Sequence, residues 1–187
     1  MSRDILDIPP ELKKITPYIR RAEELDQDKA NPESRLVAYY SRQFAVYVGI
    51  PNSKQAGAKK CLGILLGQLE REKPYMDTFT RNESKFLCRK FALKVFDLAD
   101  AEDRMGMANK NTAKTFYAAA TFLEILAQFY PDDDESEDRQ EEKKRMVYAK
   151  WKATDILKAI EEGREPTAGG YGEQNEEETR MSRGHSA

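Results

Sequence analysis

The sequence predicts an all-α protein built from two tandem antiparallel three-helix bundles, followed by a disordered tail. Apolar residues recur at three- and four-residue spacing through almost the whole chain, which is the pattern of amphipathic helices. No run of alternating polar and apolar residues indicates a strand. The chain also matches itself at an offset of 77 residues, so one helical unit is expected to occur twice. A chain of 187 residues has room for two small domains.

The first two helices are predicted from apolar stripes and helix-end residues. The stripe of the first helix consists of Ile15, Tyr18, Ile19, Ala22 and Leu25. Pro17 lies within this stripe and either kinks the helix or marks its start. The second helix begins near Pro32, with Asn31 as its N-cap, and ends around residues 49–51.

Four further helices follow. Ser53 is expected to cap the third, which ends near Lys73 because a proline comes next. The remaining helices are predicted over residues 82–106, 110–130 and 139–162. An acidic run occupies residues 131–142. It is either a solvated loop or, at its end, the acidic first turn of the last helix.

The internal repeat defines the predicted domains. The motif Ala22-Glu23-x-x-Asp26 recurs as Ala99-Asp100-x-x-Asp103, and Tyr39-Tyr40 recurs as Phe116-Tyr117. With the acidic run treated as an insertion, the third helix of each unit also matches. The paired positions there are Ala58 with Ala149, Leu62 with Ala153, Leu65 with Ile156, Leu66 with Leu157, and Leu69 with Ile160. Any two amphipathic helices align at their apolar stripes, but stripe matching does not account for the acids and aromatic pairs in register.

Three segments follow from this repeat. A first three-helix module is predicted over residues 1–75. Residues 76–162 form a connecting segment and a second module, with the acidic insertion at 131–142. Residues 163–187 have almost no apolar side chains and are predicted to be a disordered tail or linker.

Composition and charge exclude several classes of function. Lys plus Arg is 31 and Asp plus Glu is 33, a net charge of -2, which does not suit general nucleic-acid binding. No apolar run approaches the roughly 20 residues of a membrane span, so no direct membrane insertion is expected. The N-terminus does not resemble a signal peptide, and two cysteines are too few for a disulfide framework. A cytoplasmic location is therefore expected.

The sequence also predicts no catalytic, cofactor-binding or metal site, and so no enzyme. The only histidine, His185, lies three residues from the C-terminus in a polar segment. Motifs for phosphate or dinucleotide binding, for a nucleophilic serine and for zinc proteases are missing from the sequence. A binding or scaffold protein is the remaining class.

Candidate partner-binding residues are those that the core stripes leave over. Trp151 points away from the stripe of the last helix, and Tyr148 lies near the same face. Leu66 lies at the edge of its own stripe, next to Leu62, and both leucines are candidates for one wall of a groove. Lys59, Lys60 and Arg42 are the candidate basic rim of a groove that takes an acidic amphipathic helix. The alternatives are that Trp151 packs between the two units, that Leu66 belongs to the core, and that the basic residues are merely solvated.

Several segments of the chain resemble the Vta family, called LYST-interacting protein in animals. They are Ile8-Pro-Pro-Glu-Leu-Lys, Arg21-Ala-Glu-Glu-Leu, Val37-Ala-Tyr-Tyr-Ser-Arg, Ala99-Asp-Ala-Glu-Asp-Arg and Tyr148-Ala-Lys-Trp-Lys-Ala-Thr-Asp-Ile. The similarity covers about residues 5–170, and the combination of segments is specific although no single fragment is. The long acidic insertion before the last helix departs from the family pattern.

The resemblance implies both a fold and a function. The fold would be two MIT (microtubule-interacting and transport) modules that bind the C-terminal helices of ESCRT-III subunits. Family members stimulate the AAA ATPase of the Vps-four type in multivesicular-body sorting and endosomal protein transport. That ATPase would be contacted only through a C-terminal domain absent here, and the location would be cytoplasmic, peripheral to endosomes. By position, Leu66 would serve the first groove and Trp151 the second. The alternative function is a helical scaffold with Trp151 buried between the modules and no peptide groove.

Overall fold

The computed structural model describes residues 5–173, which are largely helical and contain no strand. The α-helices are α1 (Thr16–Leu25), α2 (Pro32–Gly49), α3 (Ala56–Met76), α4 (Arg81–Arg104), α5 (Lys110–Ile125) and α6 (Glu137–Glu162). Short 3-10 helices cover Pro10–Ile15, Ile50–Asn52 and Leu126–Phe129. The all-α fold class is therefore confirmed. His185 and residues 174–187 of the predicted tail lie outside the described residues.

Several helix ends agree with the sequence chemistry. Pro17 lies in the first turn of α1, so it marks the start of this helix and does not kink it. The side chain of Asn31 accepts a hydrogen bond from the Glu33 amide at 3.0 Å and caps α2. Gly163 closes α6 in the left-handed conformation, with φ of 64°, which glycine adopts without steric cost.

The ends of α3 differ from the prediction. Ser53 does not cap this helix, because its hydroxyl donates a hydrogen bond to the carbonyl of Ile50 at 2.7 Å and the helix begins at Ala56. At the other end α3 continues through Pro74 to Met76. Proline lacks the amide donor and its ring crowds the preceding turn, but Pro74 lies close to the end of α3, where the Asp77 amide still closes the last turn on the Lys73 carbonyl at 2.8 Å.

The chain divides into two compact units. Unit 1 contains residues 1–91 and 125–133, and unit 2 contains residues 92–124 and 134–187. Helix α4 contributes residues to both units. The division into modules at residues 75 and 76 stays a prediction.

In unit 1, α1 packs against α2 and α2 packs against α3. Gly49, at the end of α2, lies so close to α3 that a Cβ at this position would be 2.9 Å from Cδ2 of Leu62. The ring of Tyr18 meets the ring of Phe44 edge-on, at 5.0 Å between centroids. Unit 1 therefore has a core formed by close approach of consecutive helices.

In unit 2 the three helices meet through aromatic side chains. Phe96 of α4 lies 5.9 Å from Phe116 of α5 and 6.0 Å from Tyr148 of α6, measured between ring centroids. The Phe116 ring is also 6.2 Å from Tyr148. A buried ion pair joins Lys152 to Asp103 at 2.9 Å. Each helix of unit 2 thus contacts the other two.

Burial follows the internal repeat in the third helices, α3 and α6. The first three pairs of the repeat are buried in both copies, and the fourth pair, Leu66 and Leu157, is exposed in both. The last pair differs, because Leu69 is buried and Ile160 is exposed. The aromatic pair also differs at its second position, where Tyr40 is buried and Tyr117 is exposed.

Residues 163–173 correct the prediction of a disordered tail for that part of the chain. They lie against the helices of unit 2, with the ring of Tyr171 5.2 Å from the ring of Tyr148. The carbonyl of Thr167 accepts a hydrogen bond from the ammonium of Lys152. The composition predicted disorder because apolar anchors are scarce, but a single aromatic anchor and charged groups on the helices hold this segment.

Both thiols are expected to be inert in the folded protein. Cys61 and Cys88 are buried, and burial raises the pKa of each thiol because it disfavours the thiolate. A colorimetric thiol reagent is expected to find no reactive thiol under native conditions and two thiols in denaturant. Rapid native reaction of either thiol would contradict the packing of unit 1.

Candidate functional site

In unit 1 the candidate surface lies on α3 around Leu66. This side chain is 47% exposed, so Leu66 does not belong to the core. At 100° per residue, Lys59 falls within about 20° of Leu66 on the helix surface and is also exposed. Gly63 lies between them, and a Cβ there would meet no atom of the described residues within 4 Å. Leucine, lysine and glycine thus form an open strip along α3.

The other predicted residues of the first site do not join this strip. Leu62 is 5% exposed and packs in the core, because its Cδ2 lies against Gly49 of α2. Lys60 is exposed but is turned by about 120° from Leu66. Arg42 is bound to the carboxylate of Asp26. It lines a cleft of about 640 Å³ together with residues such as Arg35, Tyr39 and Tyr75.

Gly63 offers a direct test of the open strip. Replacing it with alanine is expected to stabilise the protein by about 0.5–1 kcal/mol, because glycine in a helix interior loses more conformational entropy than alanine and the new Cβ meets open space. The matched control is Gly49→Ala, whose Cβ would collide with Leu62 and is expected to destabilise. Urea unfolding followed by circular dichroism measures both. Destabilisation by Gly63→Ala would show that the strip is covered.

In unit 2 the candidate surface surrounds Trp151 on α6. The tryptophan is 40% exposed, which does not match the alternative in which it is buried. Its inner side packs on Tyr148, at 5.6 Å between ring centroids, and the ammonium of Lys152 lies 5.7 Å from the indole ring. Trp151 is therefore fixed on one side and open on the other, which is the arrangement of an aromatic interface anchor.

Tyr148 supports this surface from within. Its hydroxyl is buried, and no described residue donates or accepts a hydrogen bond there. Burial, together with the nearby carboxylates of Asp100 and Asp103, raises the pKa of the Tyr148 phenol above its usual value. Tyr148 lies between the rings of Phe96 and Trp151, so it positions Trp151 more than it presents a surface of its own.

Leu157 is a further candidate that the sequence analysis did not single out. It is 38% exposed and is the repeat partner of Leu66. The repeat alignment could have identified Leu157, because it pairs this residue with Leu66, the leucine at the edge of the stripe in the first copy. Leu157 is about 120° around α6 from Trp151, so the two residues mark different faces of the same helix.

Both candidate surfaces consist of side chains on helices. No group of three or more His, Cys, Asp or Glu side chains among residues 5–173 could hold a metal ion. Within the same range, no helix is long and apolar enough to cross a membrane. What the structure does present is exposed apolar side chains on helices, flanked by charges.

The chain is similar to a defined set of proteins. The family model described as Vta1 like matches residues 14–162. An Arabidopsis thaliana protein named as a homolog of mammalian LYST-interacting protein 5 is 42% identical over 84% of this chain and 35% of its own length. The vacuolar protein sorting-associated protein VTA1 homolog of Dictyostelium discoideum is 33% identical, over 93% of this chain and 31% of its own. The protein of that name from Homo sapiens is 35% identical, over 88% and 52% respectively. The chain thus spans about a third to a half of these relatives.

Proposed function

Because this chain belongs to the Vta1-like family, we propose that it is an adaptor that captures C-terminal helices of ESCRT-III subunits in grooves on its two helical units. The family match covers residues 14–162, which include all six α-helices. The Dictyostelium and human relatives carry a name that states an association with vacuolar protein sorting. An adaptor in that process needs surfaces for other proteins, and the exposed side chains on α3 and α6 supply them.

For unit 1, the open strip of α3 supports a helix-in-groove interaction. An amphipathic ligand helix would place an apolar side chain against Leu66. Gly63 lets the two helices approach closely because it has no Cβ to hold them apart. Lys59 would meet an acidic residue at the rim, where a charge pair sets register and on-rate more than affinity.

For unit 2, the single observation that carries the proposal is the half-exposed, supported ring of Trp151. Tryptophan is enriched among the residues that dominate binding energy. An indole packed on Tyr148 loses little side-chain entropy when a partner covers it. One short helix per groove gives an affinity on the micromolar scale, about -8 kcal/mol.

In its wider role, we propose, this chain is part of a protein that stimulates the AAA ATPase that disassembles ESCRT-III. Contact with that ATPase would use a part of the regulator other than the two units described above. Catalysis is not part of this role. We place the adaptor at endosomes through its partners.

Fluorescence of Trp151, the only tryptophan in the chain, tests the second site directly. Titration with ESCRT-III C-terminal helical peptides is expected to give a saturable change in emission as the indole is covered. Heat measured in parallel reports on either unit. Heat without an emission change would place binding at unit 1. No change in either signal would favour a helical scaffold without a peptide groove over the adaptor.

A further inference from the structure

Residues 164–173, which we call the strap, run along α4 and α6 of unit 2. Their backbone is held at two residues by side chains of the helices. The Thr167 amide donates to Oδ2 of Asp155 at 2.7 Å, and its carbonyl accepts from Lys152. The Tyr171 amide donates to Oδ1 of Asp100 at 2.9 Å, and the Tyr171 carbonyl accepts from Nη2 of Arg104 at 2.6 Å. The carboxylates thus accept hydrogen bonds from the amides and the cations donate hydrogen bonds to the carbonyls, so the helices bind the backbone of both residues independently of their side chains.

One side chain anchors the strap. The ring of Tyr171 meets Phe96 at 5.4 Å and Tyr148 at 5.2 Å, both edge-on. The guanidinium of Arg145 lies 4.8 Å from the centre of the Tyr171 ring. The phenol donates a hydrogen bond to Oε1 of Glu141 at 3.1 Å. The anchor therefore combines aromatic packing with a polar tip.

The glycines of the strap serve its path. Gly169 and Gly172 have φ of 90° and 89°, in the region that favours glycine. A Cβ on Gly170 would lie against the side chain of Arg104. Within four residues, two glycines adopt positive φ and a third lies against Arg104. This backbone path matches the surface of the helices, which a flexible spacer would not require.

The strap covers polar groups that would otherwise stand open. Lys152 is fully buried and pairs with Asp103, whose side chain is also nearly buried. Asp155 is held by the Thr167 amide and by Arg164 of the strap. Burial opposes ionisation of Asp155, but these two contacts outweigh it and hold its pKa below the usual value. Without the strap, the carboxylates and cations of α4 and α6 that bind its amides and carbonyls would lose these hydrogen-bond partners.

Few apolar contacts hold the strap in place. Arg164, Glu165, Thr167 and Ala168 are exposed, and Tyr171 is the single large apolar side chain of the segment. The strap follows the end of α6 at Gly163, and the amide of Arg164 closes the last turn of this helix on the Ala159 carbonyl at 3.0 Å, so release of residues 165–173 breaks no hydrogen bond of α6. The attachments of the strap must offset the conformational entropy of ordering the segment, so the strap is expected to open more readily than the helices beneath it.

We propose that the face of unit 2 formed by α4 and α6 is a recognition surface for a peptide turn that carries a tyrosine, and that the strap is its reversibly docked intramolecular ligand, anchored by Tyr171. The contacts that carry this proposal are those of the strap, and none of them is made by Trp151, so the proposal does not rest on the proposed function. A competing ligand would supply an aromatic side chain in a turn like the one that the Glu173 amide closes on the Gly170 carbonyl at 3.2 Å, together with a second free backbone position. While the strap is docked, such a segment is excluded.

Hydrogen exchange in the full chain tests reversible docking. The amides of Thr167 and Tyr171 are expected to be protected in the wild type, and Tyr171→Ala is expected to reduce this protection at least about tenfold without affecting α4 and α6. Tyr171→Phe keeps the ring and is expected to fall in between. Unprotected strap amides in the wild type would overturn the proposal. Loss of protection in α6 with Tyr171→Ala would do so too, because the strap would then be an inseparable part of the fold.

A peptide with the sequence of residues 163–173 tests recognition. It is expected to shift the backbone resonances of Asp100 and Asp155 in the Tyr171→Ala chain at about millimolar concentration. The wild type is expected to need at least about ten times more peptide, because its own strap competes at high effective concentration. A control peptide with alanine in place of the tyrosine should not bind. Equal binding to both chains, or no binding to the variant, would contradict the proposal.

Discussion

Replacing Trp151 with aspartate is expected to lower the affinity of unit 2 for ESCRT-III C-terminal helices at least about 100-fold, or about 2.7 kcal/mol. The indole is the large exposed aromatic of α6 and is supported by Tyr148, so it combines apolar area with low mobility. Aspartate removes the apolar contact and places a charge where a partner would exclude water. Isothermal titration of the variant with the peptides measures the loss.

Two companion variants make the Trp151 result specific. Leu98→Asp, on α4 of the same unit, places the same charge at a side chain that is 61% exposed and is expected to leave binding unchanged. Leu157→Asp distinguishes the two faces of α6. If Leu157→Asp abolishes binding while Trp151→Asp does not, the partner lies in the groove equivalent to that of unit 1 and the site at Trp151 is wrong.

Leu66→Asp is expected to abolish binding to unit 1 while leaving the helical content unchanged. The exposed leucine is the apolar centre of the strip, so a charge there opposes docking of a partner helix. Because the side chain is not in the core, the substitution buries no charge in the folded protein. Titration calorimetry with the variant and circular dichroism of the free protein measure the two effects.

The control for Leu66 is on the same helix. Ile64 is 43% exposed and is turned by about 160° from Leu66, so Ile64→Asp carries the same change to another face of α3. It is expected to bind as the wild type does. Equal losses in both variants would point to a general disturbance of α3, and no loss with Leu66→Asp would remove the first groove from the account.

The fold could be predicted from the sequence where one local rule dominates. The end of α6 at Gly163 and the cap of α2 by Asn31 follow from backbone chemistry within a few residues. The start of α3 could not be predicted in this way. Ser53 has the chemistry of a cap, but it turns to the Ile50 carbonyl of the preceding 3-10 helix. Competing local hydrogen bonds decided this helix end.

For the candidate sites too, local periodicity predicted some positions, whereas contacts between distant residues decided others. Helical periodicity placed Trp151 outside its apolar stripe, and this side chain is exposed. It placed Leu66 at the edge of a stripe and left the core open as an alternative, which the structure excludes. Leu62 was a groove candidate as the neighbour of Leu66, but it packs in the core against Gly49. The docked segment around Tyr171 escaped prediction because composition does not show where one aromatic ring finds partners distant in sequence.

The central claim is that two separate apolar surfaces bind ESCRT-III C-terminal helices, and calorimetric titration of the wild type beside the double variant Leu66→Asp/Trp151→Asp tests it most directly. The account predicts saturable heat with micromolar affinity for the wild type and none for the double variant, with both proteins equally helical. Wild-type affinity retained in the double variant, or no saturable heat from the wild type at millimolar peptide, would contradict it.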